Sequence, residues 1–249
     1  MNATTGDGVR PRSASDATWS AYRVATGIVL TLWAGTFWFL LVSGRSSQYL
    51  SSRTEWVVPV GAVLLTVAAV GRLLTARERD PTPLGRRQAW MLGLLLVPVL
   101  VTLVLPPSTL TSFAAGRRGD AAAAGYTASA SEIGEGALTL LDVAGAQTSK
   151  EGQQALAKRA GEQVSFVGFV DREPGTPADE FLLTRFIVSC CVADATVASV
   201  RVVNVPPGTW EIDEWVTVDG TIYPLGREVI VDQSSITAAT EPNPAYLSP

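Results

Sequence analysis

VATGIVLTLWAGTFWFLLV, residues 24–42, runs without a single charged side chain. An α-helix rises about 1.5 Å per residue, so about 20 apolar residues cross a hydrocarbon core of about 30 Å. Two further stretches read the same way: WVVPVGAVLLTVAAVG at 56–71 and AWMLGLLLVPVLVTLVLPP at 89–107. Backbone groups in lipid must pair within their own segment, so these runs are predicted as helices, spanning about 24–42, 56–74 and 89–107. The first run is too long for the apolar stretch of a secretory signal, and no A-x-A-like cleavage site follows it, so it reads as a retained helix.

The composition agrees. Only 17% of the 249 residues are charged, against about 25% in ordinary soluble domains. Arginine placement predicts the orientation. Arg10, Arg12 and Arg23 precede the first span, and Arg72, Arg77, Arg79, Arg86 and Arg87 lie between the second and third. Arg45 and Arg53, then Arg117 and Arg118, fall on the opposite side. The heavier sides alternate as three crossings require. The chain is therefore expected in the plasma membrane, with residues 1–23 as a cytoplasmic tail and everything after about residue 107 outside.

No Asp, Glu, Lys or His interrupts the apolar runs. Transport pathways and proton relays place ionisable groups at that depth, so the helices do not read as a pore. Arg72 can snorkel from the end of its helix. Pro59 and Pro98 are expected to kink theirs. Gly27, Ala34, Gly35, Ala68, Ala69 and Gly71 would allow close helix packing.

Residues 108–136 are dominated by Gly, Ala and Ser and read as a flexible linker. KEGQQALAKRAG, 150–161, suits one short helix stopping at Gly161. Beyond it the pattern turns to period two with β-branched and aromatic residues. Five strands are predicted: 163–170, 181–191, 198–205, 214–225 with a bulge at Asp219-Gly220, and one from Arg227 onward. Residues 137–249 are thus an all-β domain with one short helix, most simply a small OB-like barrel, with a β-sandwich as the alternative. OB barrels often bind single-stranded nucleic acid. From residue 125 onward, however, 17 acidic residues face 7 basic ones. Phosphate backbones are bound by Lys and Arg, so nucleic acid is not an expected partner.

RFIVSCCVADA, 185–195, holds the only cysteines, Cys190 and Cys191. If the strand runs through both, their side chains point to opposite faces and Cys190 is a small core filler. A bond between them would be strained, because adjacent Cα atoms lie about 3.8 Å apart and disulfides usually span about 4.4–6.8 Å. As thiolates they could take zinc or copper(I), with Asp194 as a third ligand. Structural zinc wants four ligands, usually Cys and His, and the chain has no histidine. The same lack removes the usual base for a nucleophilic thiol, so no enzyme and no cofactor other than such a metal ion is expected. Asp194 also reads as a turn residue at the strand end.

GFV at 168–170, Phe181, and RFIVSCCVADA at 185–195 resemble the hallmark of a bacterial family of two-component permease subunits, whose pattern is RF-x-x-x-CC-x-A-D-A. SGRSSQYLSSR at 43–53, PPSTLTSFAAGRRG at 106–119 and EPNPAYL at 241–247 look like further landmarks. One departure is Asn243-Pro244-Ala245-Tyr246, where an aromatic more often follows Asn-Pro directly. The resemblance implies an accessory subunit without a pore, working beside a larger permease subunit in the lipid bilayer, with an outer domain of unassigned function. It marks Arg185, Cys190, Cys191 and Asp194 as candidate binding or redox residues. A membrane-anchored thiol sensor for zinc, copper or redox state is the alternative.

Overall fold

A computed structural model describes residues 18–78, 83–104, 110–118, 128, 130–134 and 136–249. Most of the expected cytoplasmic tail and residues 119–127 of the expected linker lie outside these. The chain divides into two compact units, Met1–Ser43 with Val57–Pro106, and Gly44–Trp56 with Pro107–Pro249.

The first unit contains β1 (Thr18–Trp19), α1 (Ala21–Val42), α2 (Val57–Leu74), β2 (Arg77–Glu78) and α3 (Arg86–Val104). The three helices are long and apolar enough to cross a membrane. Apolar side chains such as Leu64 and Leu94 are 64% exposed, and exposed apolar faces of this extent suit hydrocarbon rather than water. Glycine lets α1 and α2 approach. A Cβ on Gly27 would lie 2.5 Å from Leu73 Cδ2, and one on Gly61 would lie 2.7 Å from Phe37 Cε1. Ala34 and Ala69 are buried, whereas Gly35 and Gly71 have open space beside them. Polar groups are satisfied internally. Thr31, Thr36 and Thr66 hydroxyls donate to carbonyls one turn earlier, at 2.9, 2.9 and 2.7 Å. Trp38 Nε1 donates to Thr66 Oγ1 and Trp33 Nε1 to Leu95 O. Arg72 Nε donates to Thr26 Oγ1 at 2.9 Å and its guanidinium lies over the Tyr22 ring. Pro59 falls in the first turn of α2, where its missing N–H has no helical partner to lose. Among the described residues only Pro98 is a helix-interior proline.

The second unit holds α4 (Ser112–Ala115), α5 (Ala130–Gly134), α6 (Leu140–Ala146), α7 (Lys150–Ala157) and five strands. These are β3 (Gln163–Asp171), β4 (Phe181–Ile187), β5 (Thr196–Val203), β6 (Trp215–Leu225) and β7 (Glu228–Ala238). They close into a barrel in the order β3-β4-β5-β7-β6, with β5 and β7 parallel and the other neighbours antiparallel. The sandwich alternative fails because the sheet closes on itself. A register shift at Asp219/Gly220 marks the expected bulge. The helix expected at 150–161 covers Lys150–Ala157, and Gly161 takes φ 87°. Sequence periodicity missed α6, which starts on a capping box between Thr139 and Asp142. Phe166, Phe181, Leu183, Ile222 and Val231 fill the barrel, with Val143 of α6 and Leu156 of α7 in the same core.

The expected strand at 181–191 ends at Ile187. Both of its faces are covered, which explains why it lacks polar alternation. Phe181, Leu183 and Ile187 point into the barrel core. Phe186 joins Phe169, Val188, Ala115, Ala245 and Tyr246 in a second buried cluster.

Asp171, at the end of β3, is only 8% exposed. Burial first, and then the charges of Glu173 and Asp213, push its carboxyl above the ordinary 3.8, against an opposing backbone hydrogen bond from Arg172. A carboxyl raised on folding binds its proton more tightly in the folded chain, so stability falls as the pH climbs through the interval above 3.8. Asp171→Asn is therefore expected to stabilise the domain at neutral pH. The gain should vanish in acid, as denaturant midpoints taken at both pH values would report.

Candidate functional site

After Ile187 the chain turns rather than continuing as a strand. Val188 N donates to Leu247 O and Leu247 N to Phe186 O, both at 2.8 Å, so the C-terminal tail lies along the end of β4. Ser189, Cys190 and Cys191 then bend into a short 3-10 turn, Val192–Asp194. Asp194 closes the bend: Oδ1 accepts from Ser189 N at 3.1 Å and Oδ2 from Cys190 N at 2.7 Å. A carboxylate is suited to this because it can accept at both oxygens.

The segment joining α1 and α2 supplies the other wall. Its own shape is set by Gly44 at φ 68°, a 3-10 turn at Arg45–Gln48 and a hydrogen bond from Ser46 Oγ to the Glu55 carboxylate. Ser51 N and Thr54 Oγ1 both donate to the Cys190 carbonyl, at 3.1 and 2.6 Å. Val192 N donates to Tyr49 O at 2.9 Å, and Leu50 and Cys191 form an antiparallel bridge. Ser51 and Ser52 hydroxyls meet Ser248 Oγ at 2.9 and 3.1 Å. From the far side, Arg118 Nη1 donates to Val192 O and Ala195 O at 2.7 and 3.0 Å.

Arg185 serves the tail. Its Nη2 donates to Pro244 O and Ala245 O at 3.1 and 3.2 Å, and the guanidinium lies over the Trp215 ring. Desolvation lowers its pKa, partly opposed by Glu241, but a guanidinium stays charged at any ordinary pH. The hallmark residues thus come together at one end of the barrel, where much of their bonding capacity goes into binding three remote segments.

The cysteines lie beyond the end of β4, not within a continuing strand. Cys190 is exposed and Cys191 half-buried, both are free thiols, and neither is core filler. Partial desolvation raises the Cys190 thiol above its ordinary value, and the charge of Cys191, the charge of Asp194 and a hydrogen bond with the Cys191 side chain add to the rise. The two thiols belong to consecutive residues of the same turn. A raised thiol is mostly protonated at neutral pH and reacts slowly. Iodoacetamide should accordingly modify Cys190 more slowly at pH 7 than an unstructured cysteine peptide. Asp194→Asn, which removes one of the raising charges, should speed it, as timed mass spectra would show.

As a metal centre the site is thin. Among the described residues no group of three or more His, Cys, Asp or Glu side chains could hold an ion. Both Asp194 oxygens already accept backbone N–H groups. Zinc or copper(I) would need ligands from another molecule beside the two thiols.

The DUF1980 C-terminal domain family matches residues 122–248, just over half of the chain. The chain belongs to this family. No curated protein matches it. The DUF1980 match takes in the barrel, the cysteine turn and most of the tail, yet Ser51, Thr54 and Arg118, which hold the turn, fall outside it. Sequence reasoning named Arg118 only for the orientation of the chain and did not mark any of the three as a site residue. The landmarks at 43–53 and 106–119 took in Ser51 and Arg118 and stopped one residue short of Thr54, but gave no reason for their bonding.

Proposed function

We propose that this DUF1980 protein is an accessory subunit of a two-component permease and forms no pore itself. Its three helices dock on a larger membrane subunit, and its barrel, outside the plasma membrane, gates or loads that partner. One observation carries this reading. Charge in the spanning helices is confined to their end turns, at Arg23, Arg72, Arg86 and Arg87, and Arg72 is already engaged by Thr26 and Tyr22. A solute path at the midplane would want ionisable or polar ligands there.

Parity supports three crossings. Residues 44–56 and the barrel belong to one compact unit, so they share a side of the membrane. A chain that crosses once before residue 44, and twice more before the barrel, meets that condition. The arginine asymmetry then favours the cytoplasm for the N-terminus and the exterior for the barrel. The strand order, with β5 and β7 as the one parallel pair, favours an OB-like connectivity. Its acidic balance, 17 to 7 from residue 125, favours protein or cation over nucleic acid. Binding and gating rather than catalysis fit a hallmark whose Arg185 and Asp194 hold backbone.

Full-length tagged protein extracted in mild detergent is expected to bring a larger membrane subunit with it, and vesicles holding this chain alone should show no selective flux. Repeated recovery of the chain by itself, or flux through it alone, overturns the proposal.

A further inference from the structure

The peptide bond between Cys190 and Cys191 is where the α1–α2 connection is fastened. Its carbonyl oxygen takes the hydrogen bonds of both Ser51 N and Thr54 Oγ1. We propose that Cys190 and Cys191 are a dithiol–disulfide pair whose closure releases residues 44–56 from the barrel, making this turn a redox modification site for small-molecule disulfides. This goes beyond an accessory role and does not depend on it.

The chemistry balances as two thiol–disulfide exchanges. The exposed Cys190 thiol loses its proton and attacks one sulfur of a disulfide RSSR, whose S–S bond breaks. Cys190 becomes a mixed disulfide and one RSH departs. Cys191, the next residue in the chain and also a free thiol, then attacks the Cys190 sulfur and expels the second RSH. Two protein thiols are oxidised to one disulfide, and RSSR is reduced to two RSH. The raised Cys190 thiol slows the first attack but leaves the balance unchanged.

Geometry supplies the coupling. Neighbouring Cα atoms stand about 3.8 Å apart, short of the roughly 4.4–6.8 Å that disulfides span. Closing the ring must therefore distort the intervening peptide and displace its carbonyl. That carbonyl is the acceptor held by Ser51 and Thr54. Displacing it costs both bonds, and the adjoining bond from Val192 N to Tyr49 O lies within two residues of the movement. The β-strands need not change.

Coupling is reciprocal. Whatever holds the carbonyl opposes the disulfide, so weakening the clasp should favour oxidation. Thr54→Val removes the hydroxyl bond and should shift the equilibrium toward the disulfide by about fivefold.

The test uses the full-length protein in detergent micelles, equilibrated with glutathione and glutathione disulfide. Alkylation and mass spectrometry give the cysteine state, and hydrogen exchange gives the state of residues 49–56. The expected result is loss of two hydrogens from the Cys190–Cys191 peptide, with exchange in 49–56 faster by about tenfold or more and β3–β7 unchanged. Cys191→Ser should stop at the mixed disulfide on Cys190 and keep 49–56 protected. Thiols that stay alkylatable throughout, a mixed disulfide as the only product in the unsubstituted chain, or closure without faster exchange in 49–56 would each overturn the inference.

Discussion

Replacing Phe186 by alanine is expected to cost about 3–5 kcal/mol of unfolding free energy. The side chain is 2% exposed and stacks on Phe169 with centroids 5.6 Å apart. Phe169 in turn meets the edge of Trp215 at 5.8 Å. Removing the Phe186 ring leaves a cavity between the outer wall of the barrel and the tail, and lost dispersion contacts add to the transfer term. The tail should loosen first. Ala245 and Tyr246 pack in the same cluster, whereas the barrel interior is filled by a separate set of side chains. Hydrogen exchange of the full chain in micelles would show protection lost around 243–248 before the strands. Unchanged protection there, together with an unchanged denaturation midpoint, would contradict the packing account.

Gly220→Ala should be comparably damaging for a different reason. At the bulge of β6 an added Cβ would lie 2.9 Å from Val231 Cγ1 and 3.0 Å from the Asp232 carbonyl carbon, with the carbonyl oxygen closer still. Backbone atoms cannot rotate out of the way as a side-chain tip does. The β6–β7 pairing must part at that point, at a cost of about 3 kcal/mol. Gly226 offers the control for crowding, since nothing stands near its added Cβ although its φ of 68° favours glycine. Alanine there should destabilise by backbone strain alone, by about 1 kcal/mol. If both variants melt alike, crowding at the bulge is not what requires glycine.

Strands such as β5 and β6 were legible because apolar and polar residues alternate along them, and the bulge because Asp219-Gly220 breaks one such run. The end of β4 was not. FLLTRFIVSCC shows no polar face to mark a boundary, since one side packs in the barrel and the other is roofed by the tail. The break at Ile187 depends on Asp194 folding back onto Ser189 and Cys190, and a short turn of that kind leaves only an ambiguous aspartate in the sequence. Likewise α6 was hidden by its length, seven residues of mostly small and apolar side chains. Arg185 was singled out as a candidate binding residue, but no pattern in the chain assigns it to the carbonyls of Pro244 and Ala245.

Sequence alone determined the three helices long and apolar enough to cross a membrane, since hydrophobic length and the absence of charge are summed along one continuous segment and need no knowledge of neighbours. It likewise determined that the remainder is built of strands, because side chains alternate locally. Only tertiary structure decided that the cysteines sit on a turn beyond the end of β4, and that the connection between the first two helices fastens to the peptide between them. Those outcomes depend on hydrogen bonds between residues as far apart as Thr54 and Cys190, and no local periodicity encodes a partner 136 residues away.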